Sequence, residues 1–346
     1  MSKRTATLDV FFGKTSEPKK EEVKPEEPVS PRILIDEKIK GLLEISKKNR
    51  EISDGRNLFL LSVEYDSDEN KAVMKFYDPR EKKVYFLHDR TGHRPYFLTN
   101  ASVEEIRALS TKMRGSIENI ERVTRYDPIE DRYVELNKVI VSDPLAVGGR
   151  GGIRNLIGEE RSWEAWIPYH LNYIYDAKLW PSMFYDVVDG KPILKEYSQE
   201  ISKEIMDVFS EEDYRELVKK YLPIFSAELP HIDFISLDIE VAGHGRIPQM
   251  SQPFDQIIAI GLTEYIFEDS KYIERGEIFL LRNYRGIKSG QLGDIKVIKE
   301  GSYYDVGELD VNGKTITVRL YKDEKLMLLD LFEKIWEVPI LVTFNG

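Results

Sequence analysis

The chain contains no cysteine, which removes disulfides and thiolate metal sites and fits an intracellular protein. No apolar run approaches the roughly 20 residues of a membrane span. The N-terminus also lacks the long apolar core of a signal peptide. A basic excess is missing too: the formal net charge is −11, whereas nucleic-acid binders usually carry a basic footprint. Any such function must rest on local basic patches or on parts of a larger molecule. Histidine is scarce. His88, His93, His170, His231 and His244 show no metal-ligand spacing and read as structural or surface residues. What is present suffices for folding. The 346 residues suit two domains. The 41% hydrophobic fraction can bury real cores, and the 32% charged fraction exceeds the usual share of about a quarter. No internal repeat is apparent.

Residues 14–32, KTSEPKKEEVKPEEPVSPR, hold four prolines and five charges of each sign. Such a segment buries too little surface to offset its ordering entropy and reads as a linker. Before it stands a short island, 5-TATLDVFF-12, with Leu8, Phe11 and Phe12 on one face of a single helical turn. An apolar turn on a tail needs a cover, either a partner or its own domain.

Folded sequence resumes near residue 33. Strands are predicted over 58–65, 71–78 and 83–89, separated by DSDEN and PREK turns, which gives an antiparallel meander. Ser102 can cap a helix over 103–113 with Glu105 in a capping box. Strands over 117–125 and 133–141 follow. The run 148-GGRGGIRNLIG-158 reads as a mobile loop, or as a phosphate cradle lacking the spacing and Lys of a P-loop. An aromatic helix is expected over 163–178, with Pro168 kinking it or marking its true start. Two short helices are expected over 198–209 and 211–220. From residue 231 strands are predicted over 231–241, 256–266 and 277–284, with a further pair near 294–298 and 314–320. Asp323 can cap a helix through Trp336 that presents Leu326, Leu329, Phe332, Ile335 and Trp336. A buried strand, 340–344, closes the chain. Sheets and helices in this order make an α+β or α/β protein.

In the strand 234-FISLDIEVAG-243, Asp238 and Glu240 share one face; Ile235, Leu237, Ile239 and Val241 share the other, expected to be buried. Two carboxylates about 6–7 Å apart on one strand repel each other unless water, a basic partner or a divalent metal compensates. Oxygen ligands of this kind suit Mg²⁺ or Mn²⁺. Two such ions about 3.5–4 Å apart are the arrangement that drives phosphodiester hydrolysis. The plain alternative is a solvated polar face.

LDIE at 237–240 followed by TFNG at 343–346 resembles the first two motifs of the 3′→5′ proofreading exonuclease of family B DNA polymerases. The stretch 88-HDRTGHRPYF-97 resembles the H-D-R-T-x-R-P-Y run of archaeal members, with one extra residue, and 138-KVIVSDPLAV-147 is similar to crenarchaeal ones. The resemblance covers about residues 56–346.

That resemblance implies a mixed-sheet N-terminal domain followed by a partial RNase H-like exonuclease domain. Residues 1–32 would be a tail with a clamp-binding box, 33–185 the template-reading domain, and 186–346 the exonuclease domain. Asp238 and Glu240 match metal-binding catalytic carboxylates, and Asn345 matches the asparagine of the second motif. The remaining exonuclease acids and the palm motifs would lie beyond Gly346, so these residues are expected to be a piece, whether by cloning, incomplete sequence or a split gene. Alone they would hold half an exonuclease site and be inactive. Tyr65, Pro95, Tyr96, Pro144, Val147, Ile167, Pro168 and Tyr169 match the pocket that accepts a flipped template uracil; the plain alternative is ordinary core. TATLDVFF resembles a sliding-clamp box through Leu8, Phe11 and Phe12, with Thr5 where glutamine is usual. Implied partners are primer–template and single-stranded DNA, the clamp, and the palm, fingers and thumb, with Mg²⁺ or Mn²⁺ as cofactor and the cytoplasm, at the nucleoid, as location. A non-catalytic DNA-binding subunit of a split or inactivated polymerase is the alternative function. An unrelated RNase H-like nuclease fits the HDRTGHRPYF stretch poorly.

Overall fold

The computed structural model describes residues 31–346 apart from 47–49, 198–199, 226, 243–254, 283–293 and 344–346. The chain starts with helix α1 (Pro31–Ser46). The meander follows as β1 (Gly55–Asp66), β2 (Lys71–Asp78) and β3 (Lys83–His88), all antiparallel. Next come β4 (Tyr96–Thr99), α2 (Val103–Ser110), β5 (Ile117–Asp127) and β6 (Arg132–Val141). Ser102 caps α2 by accepting from the Glu105 N–H, as the capping box predicts. The Gly-rich run 148–158 is only partly a loop: it takes up the end of α3 (Pro144–Gly148), a turn over 149–152, and then α4 (Ile153–Ile157). The glycines serve close packing: a Cβ at Gly148 would stand 2.8 Å from the Arg154 guanidinium. Gly158 turns the chain at φ 105°, a conformation side chains resist.

Trp163 lies in the two-residue strand β7 (Ser162–Trp163), and Pro168 marks the start of α5 (Tyr169–Asp176). After β8 (Phe184–Val188) and β9 (Lys191–Leu194) come α6 (Lys203–Val208) and α7 (Glu212–Phe225). The last part holds β10 (Phe234–Val241), β11 (Ile257–Glu268), β12 (Lys271–Leu281), β13 (Lys296–Lys299), β14 (Tyr304–Val311), β15 (Lys314–Tyr321), α8 (Glu324–Glu337) and β16 (Ile340–Thr343). No helix among the described residues is long and apolar enough to cross a membrane.

Three sheets result, an α+β arrangement. Their orders are β3-β2-β1-β8-β9, β5-β6-β4-β7 and β13-β14-β15-β12-β11-β10-β16. The domain boundary expected at 185/186 falls inside β8, which pairs with β1 and β9. The first sheet therefore carries the N-terminal unit on to Leu194. In the third sheet, β10, β11 and β12 run as an antiparallel meander and β16 lies parallel to β10, consistent with an RNase H-like domain. Helix α8 covers one face, burying Leu326, Met327 and Leu331 on Ile235, Ile260, Leu262 and Phe279.

Three expectations fail here. Ile239 is exposed, because the core under α8 reaches Ile235 and Leu237 but not the end of β10. The closing strand β16 is a mostly exposed edge, not a buried strand. On α8, Phe332 and Trp336 face outward and Asp330 inward. Asp330 is tolerated because it accepts from Tyr321 Oη at 2.6 Å and pairs with Lys38 of α1 at 2.8 Å.

Candidate functional site

Asp238 and Glu240 stand exposed on the face of β10 away from α8. Their neighbours on β11 are Gly261 and Ala259. A Cβ added at Gly261 would meet nothing within 4 Å, so the floor beside the carboxylates is low and open. Among the described residues, no side chain or backbone donor pairs with either carboxylate. Two hard oxygen donors on one face suit Mg²⁺ or Mn²⁺ in chemistry. They are only part of a ligand set, since no group of three His, Cys, Asp or Glu among the described residues could hold a metal ion. The parallel strand β16 brings Thr343 opposite Leu237, one position before Asp238. Asn345 lies outside the described residues.

The sheet beneath is fixed from its other face. Lys334 of α8 reaches Glu264 on β11 at 2.8 Å and Glu277 on β12 at 3.0 Å. Arg319 on β15 links Glu277 to Asp330. Burial opposes the charge on Lys334, but its two carboxylate partners outweigh that and raise its pKa.

The N-terminal unit holds a second site. Pro95, Tyr96, Pro144, Val147, Ile167, Pro168 and Tyr169, seven of the eight positions matched to the flipped-base pocket, line one cavity of about 240 Å³. Elements distant in sequence meet there: the start of β4, the first turn of α3, and the segment entering α5. Asp143 caps α3 by accepting from the Ala146 N–H at 3.1 Å, which sets Val147 against the cavity. Tyr65 does not line it. Its ring packs edge-on against Tyr169 at 5.1 Å, one layer behind.

The HDRTGH stretch explains how Pro95 and Tyr96 are placed. Asp89 is buried and accepts from Thr91 N at 3.0 Å, Thr91 Oγ1 at 2.8 Å, His93 N at 3.0 Å and Tyr173 Oη at 2.9 Å. One carboxylate thus shapes the turn before Pro95 and ties it to α5. Burial pushes its pKa up, but these donors more than offset that and hold it below the ordinary carboxylate value. His93 packs between Tyr96, Tyr169 and Tyr173 and contacts Asp176 at 3.0 Å. It is structural, as expected.

Seven further residues line the cavity, and two of them, Arg154 and Asn172, bring polar side chains that were not anticipated. Arg154 is buried, donates to Ala165 O at 2.7 Å and Gly148 O at 3.0 Å, and lies 3.5 Å from the Trp166 ring centroid. It clamps the α3 wall to the wall that precedes α5. The arginines of GGRGGIRN were a visible signal, hidden by taking that run as a loop. Asn172 is the other, one helical turn beyond Pro168. Leu8, Phe11 and Phe12 lie outside the described residues.

Known proteins resemble this chain in three ways. The model of the DNA polymerase family B exonuclease domain matches residues 160–346. DNA polymerase 1 of Sulfolobus acidocaldarius is 33% identical over 306 residues, covering 86% of this chain and 31% of that protein. DNA polymerase 1 of Aeropyrum pernix is 32% identical over 302 residues, 83% of this chain and 28% of that one. The chain thus spans about a third of the length of these curated relatives. Among solved structures, the family B DNA polymerase of Pyrobaculum calidifontis aligns at a TM-score of 0.45 and 17% identity, covering 84% of this chain and 30% of that one.

Proposed function

This chain belongs to the family B DNA polymerases, through their exonuclease domain, and from that premise we propose that it is the front part of a DNA-directed DNA polymerase with 3′→5′ proofreading activity. The observation that carries the proposal is the carboxylate pair. Asp238 and Glu240 share an open face, without a basic partner among the described residues, beside the small side of β11. They are the residues that would hold Mg²⁺ or Mn²⁺. Bound there, the metal supplies a water of lowered pKa and neutralises charge at the leaving oxygen. The chain's own part is to keep two oxygen donors in fixed register on a braced strand and to leave room for a DNA 3′ end over Gly261. Asn345 would join from the end of β16. Palm, fingers and thumb would complete the polymerase. Leu8, Phe11 and Phe12 would dock on a sliding clamp, and the work would take place on DNA in the cytoplasm.

The test replaces both carboxylates by Ala in the polypeptide that carries the polymerase motifs. Hydrolysis from the 3′ end should vanish while nucleotide addition persists, because addition uses other acids. Surviving exonuclease activity overturns the assignment.

A second role is favoured by the cavity. Seven matched residues, apolar or aromatic, converge on one half-open cavity, the kind of site that takes a base out of the stack. We infer that it accepts template uracil and excludes thymine by the bulk of its 5-methyl group.

A further inference from the structure

A half-open groove of about 1030 Å³ lies where the C-terminal end of α5, the end of β9 and the last turns of α7 meet. It shares no lining residue with the base cavity at the start of α5. Its size is at the top of the range for drug-sized ligands, roughly 300–1,000 Å³. Buried Leu179 and Ile224 line its apolar part, joined by the rings of Tyr175, Trp180, Tyr197 and Tyr221. The Trp180 and Tyr221 rings pack with centroids 5.6 Å apart, which ties the segment after α5 to α7. Two of the aromatics are set by hydrogen bonds: Trp180 N–H donates to Tyr185 Oη at 2.7 Å, and Tyr197 Oη accepts from Phe184 N–H at 2.8 Å. Tyr175 is 63% and Trp180 39% exposed, so ring surface stays open to a ligand.

The rim carries the sign opposite to the whole. Lys178, Lys195 and Lys220 stand against one acid, Glu196, in a chain of net charge −11. None of these lysines has a carboxylate partner among the described residues. Lys195 donates to Asn57 Oδ1 at 2.9 Å, and Lys220 Nζ lies 5.1 Å from the Tyr221 ring centroid. Their neighbour Lys219, by contrast, is paired with Glu216 at 2.6 Å. Unpaired cations beside open aromatic rings suit a single nucleic-acid strand: phosphates meet the cations and free bases stack on the rings. A duplex keeps its bases stacked inside and offers the rings nothing. An apolar peptide would cover the rings and leave the lysines without a counterpart.

We propose that this groove is a further binding site for single-stranded DNA, separate from the carboxylate pair on β10 and from the base cavity. Backbone phosphates lie along Lys178, Lys195 and Lys220, and bases stack on Trp180 and Tyr175. The choice of DNA rests on the family B reading of the chain. The groove itself reads backbone charge and base faces, not sequence.

The test measures binding of residues 1–346 to oligo(dT) of about ten nucleotides across a salt series. Lys178→Gln with Lys195→Gln and Lys220→Gln should weaken binding and reduce the slope of log affinity against log salt by about 2. These positions are exposed, so the variant should melt with the parent. Trp180→Leu should weaken binding roughly tenfold with the slope unchanged, and Trp180→Phe should restore most of it. An abasic strand of equal length should bind the parent roughly tenfold more weakly. Unchanged affinity and slope in the lysine variant, which does not depend on Trp180→Leu folding, would overturn the proposal. So would equal affinity for the abasic strand, or no binding by the parent at low salt. Poly-glutamate displacing the labelled strand as well as unlabelled oligo(dT) does would overturn it in favour of an acidic protein partner. Hydrolysis at the 3′ end and the preference for uracil report on the other two sites, so those readings stand or fall separately.

Discussion

The two sites of this chain are built on opposite plans. The cavity beside α5 is a half-open, cross-braced hollow. Arg154 clamps two of its walls, Asp89 fixes the turn into Pro95, and Asp143 caps the helix that carries Val147. The carboxylate pair on β10 is open, and its two charges have no counterpart among the described residues. The contrast follows from what each would bind. A neutral base is recognised by shape and a few polar atoms, so its pocket can be complete before the ligand arrives. A divalent cation is recognised by uncompensated negative charge, which an apo site must hold exposed or unstable.

The largest effect should come from the open site. Asp238→Ala with Glu240→Ala removes charge stabilisation worth several kcal/mol, so exonuclease rates should fall on the order of a thousandfold in the complete polymerase. Thermal stability should not fall, since two exposed like charges are lost. A large loss of stability would mean that the pair holds the fold together, as the bracing residues of the cavity do.

Next is Val147→Gln. A longer polar side chain should fill the cavity and abolish the preference for template uracil, by roughly tenfold or more in relative affinity. Affinity for thymine-containing DNA should stay put. Retained discrimination would show that the cavity lining is ordinary core.

Asp89→Asn tests the bracing. It sets an NH₂ group among donors and should cost about 2–3 kcal/mol, read by denaturant melts. The pH dependence has a definite sign. The folded pKa lies below the ordinary 3.8, so the stabilisation is complete above about pH 5 and is lost as pH falls through the folded value. The gap between parent and variant should therefore be constant at neutral pH and close in acid. A gap that widens in acid would contradict the hydrogen-bond account.

The smallest effect concerns metal and stability. With only two ligands among the described residues, adding Mg²⁺ or removing it with a chelator should move the Tm of residues 1–346 by less than about 1 °C. A shift of several degrees would show a complete metal site within these residues.

Much of the molecule could be read from residue patterns. The meander β1–β3, the capped helix α2 and the start of α5 at Pro168 express local preferences of strand pattern, cap and proline geometry. So does the shared face of Asp238 and Glu240, because strand geometry alone puts i and i+2 on one side. The polymerase relationship was legible in the motifs LDIE and HDRTGHRPYF.

Other features depend on contacts between distant segments, which no local pattern encodes. Helix α1 was not predicted, although seven of its sixteen residues are Ile or Leu; it is held by docking Leu34 and Ile35 beside α8 and by Lys38 on Asp330 and Glu333. The buried side of α8 was misjudged because Asp330 is matched by partners from two other elements, Lys38 of α1 and Arg319 and Tyr321 of β15. The exposure of Ile239 and β16 reflects where the cover from α8 ends. The second half of the Gly-rich run became the helical turn α4 once Arg154 had carbonyls and an indole to pack against. A sequence specifies its own dihedral preferences and the face each residue takes. The neighbours that make a polar group satisfied, clamped or left free come from elements tens of residues away, and chain folding alone brings them within hydrogen-bond reach.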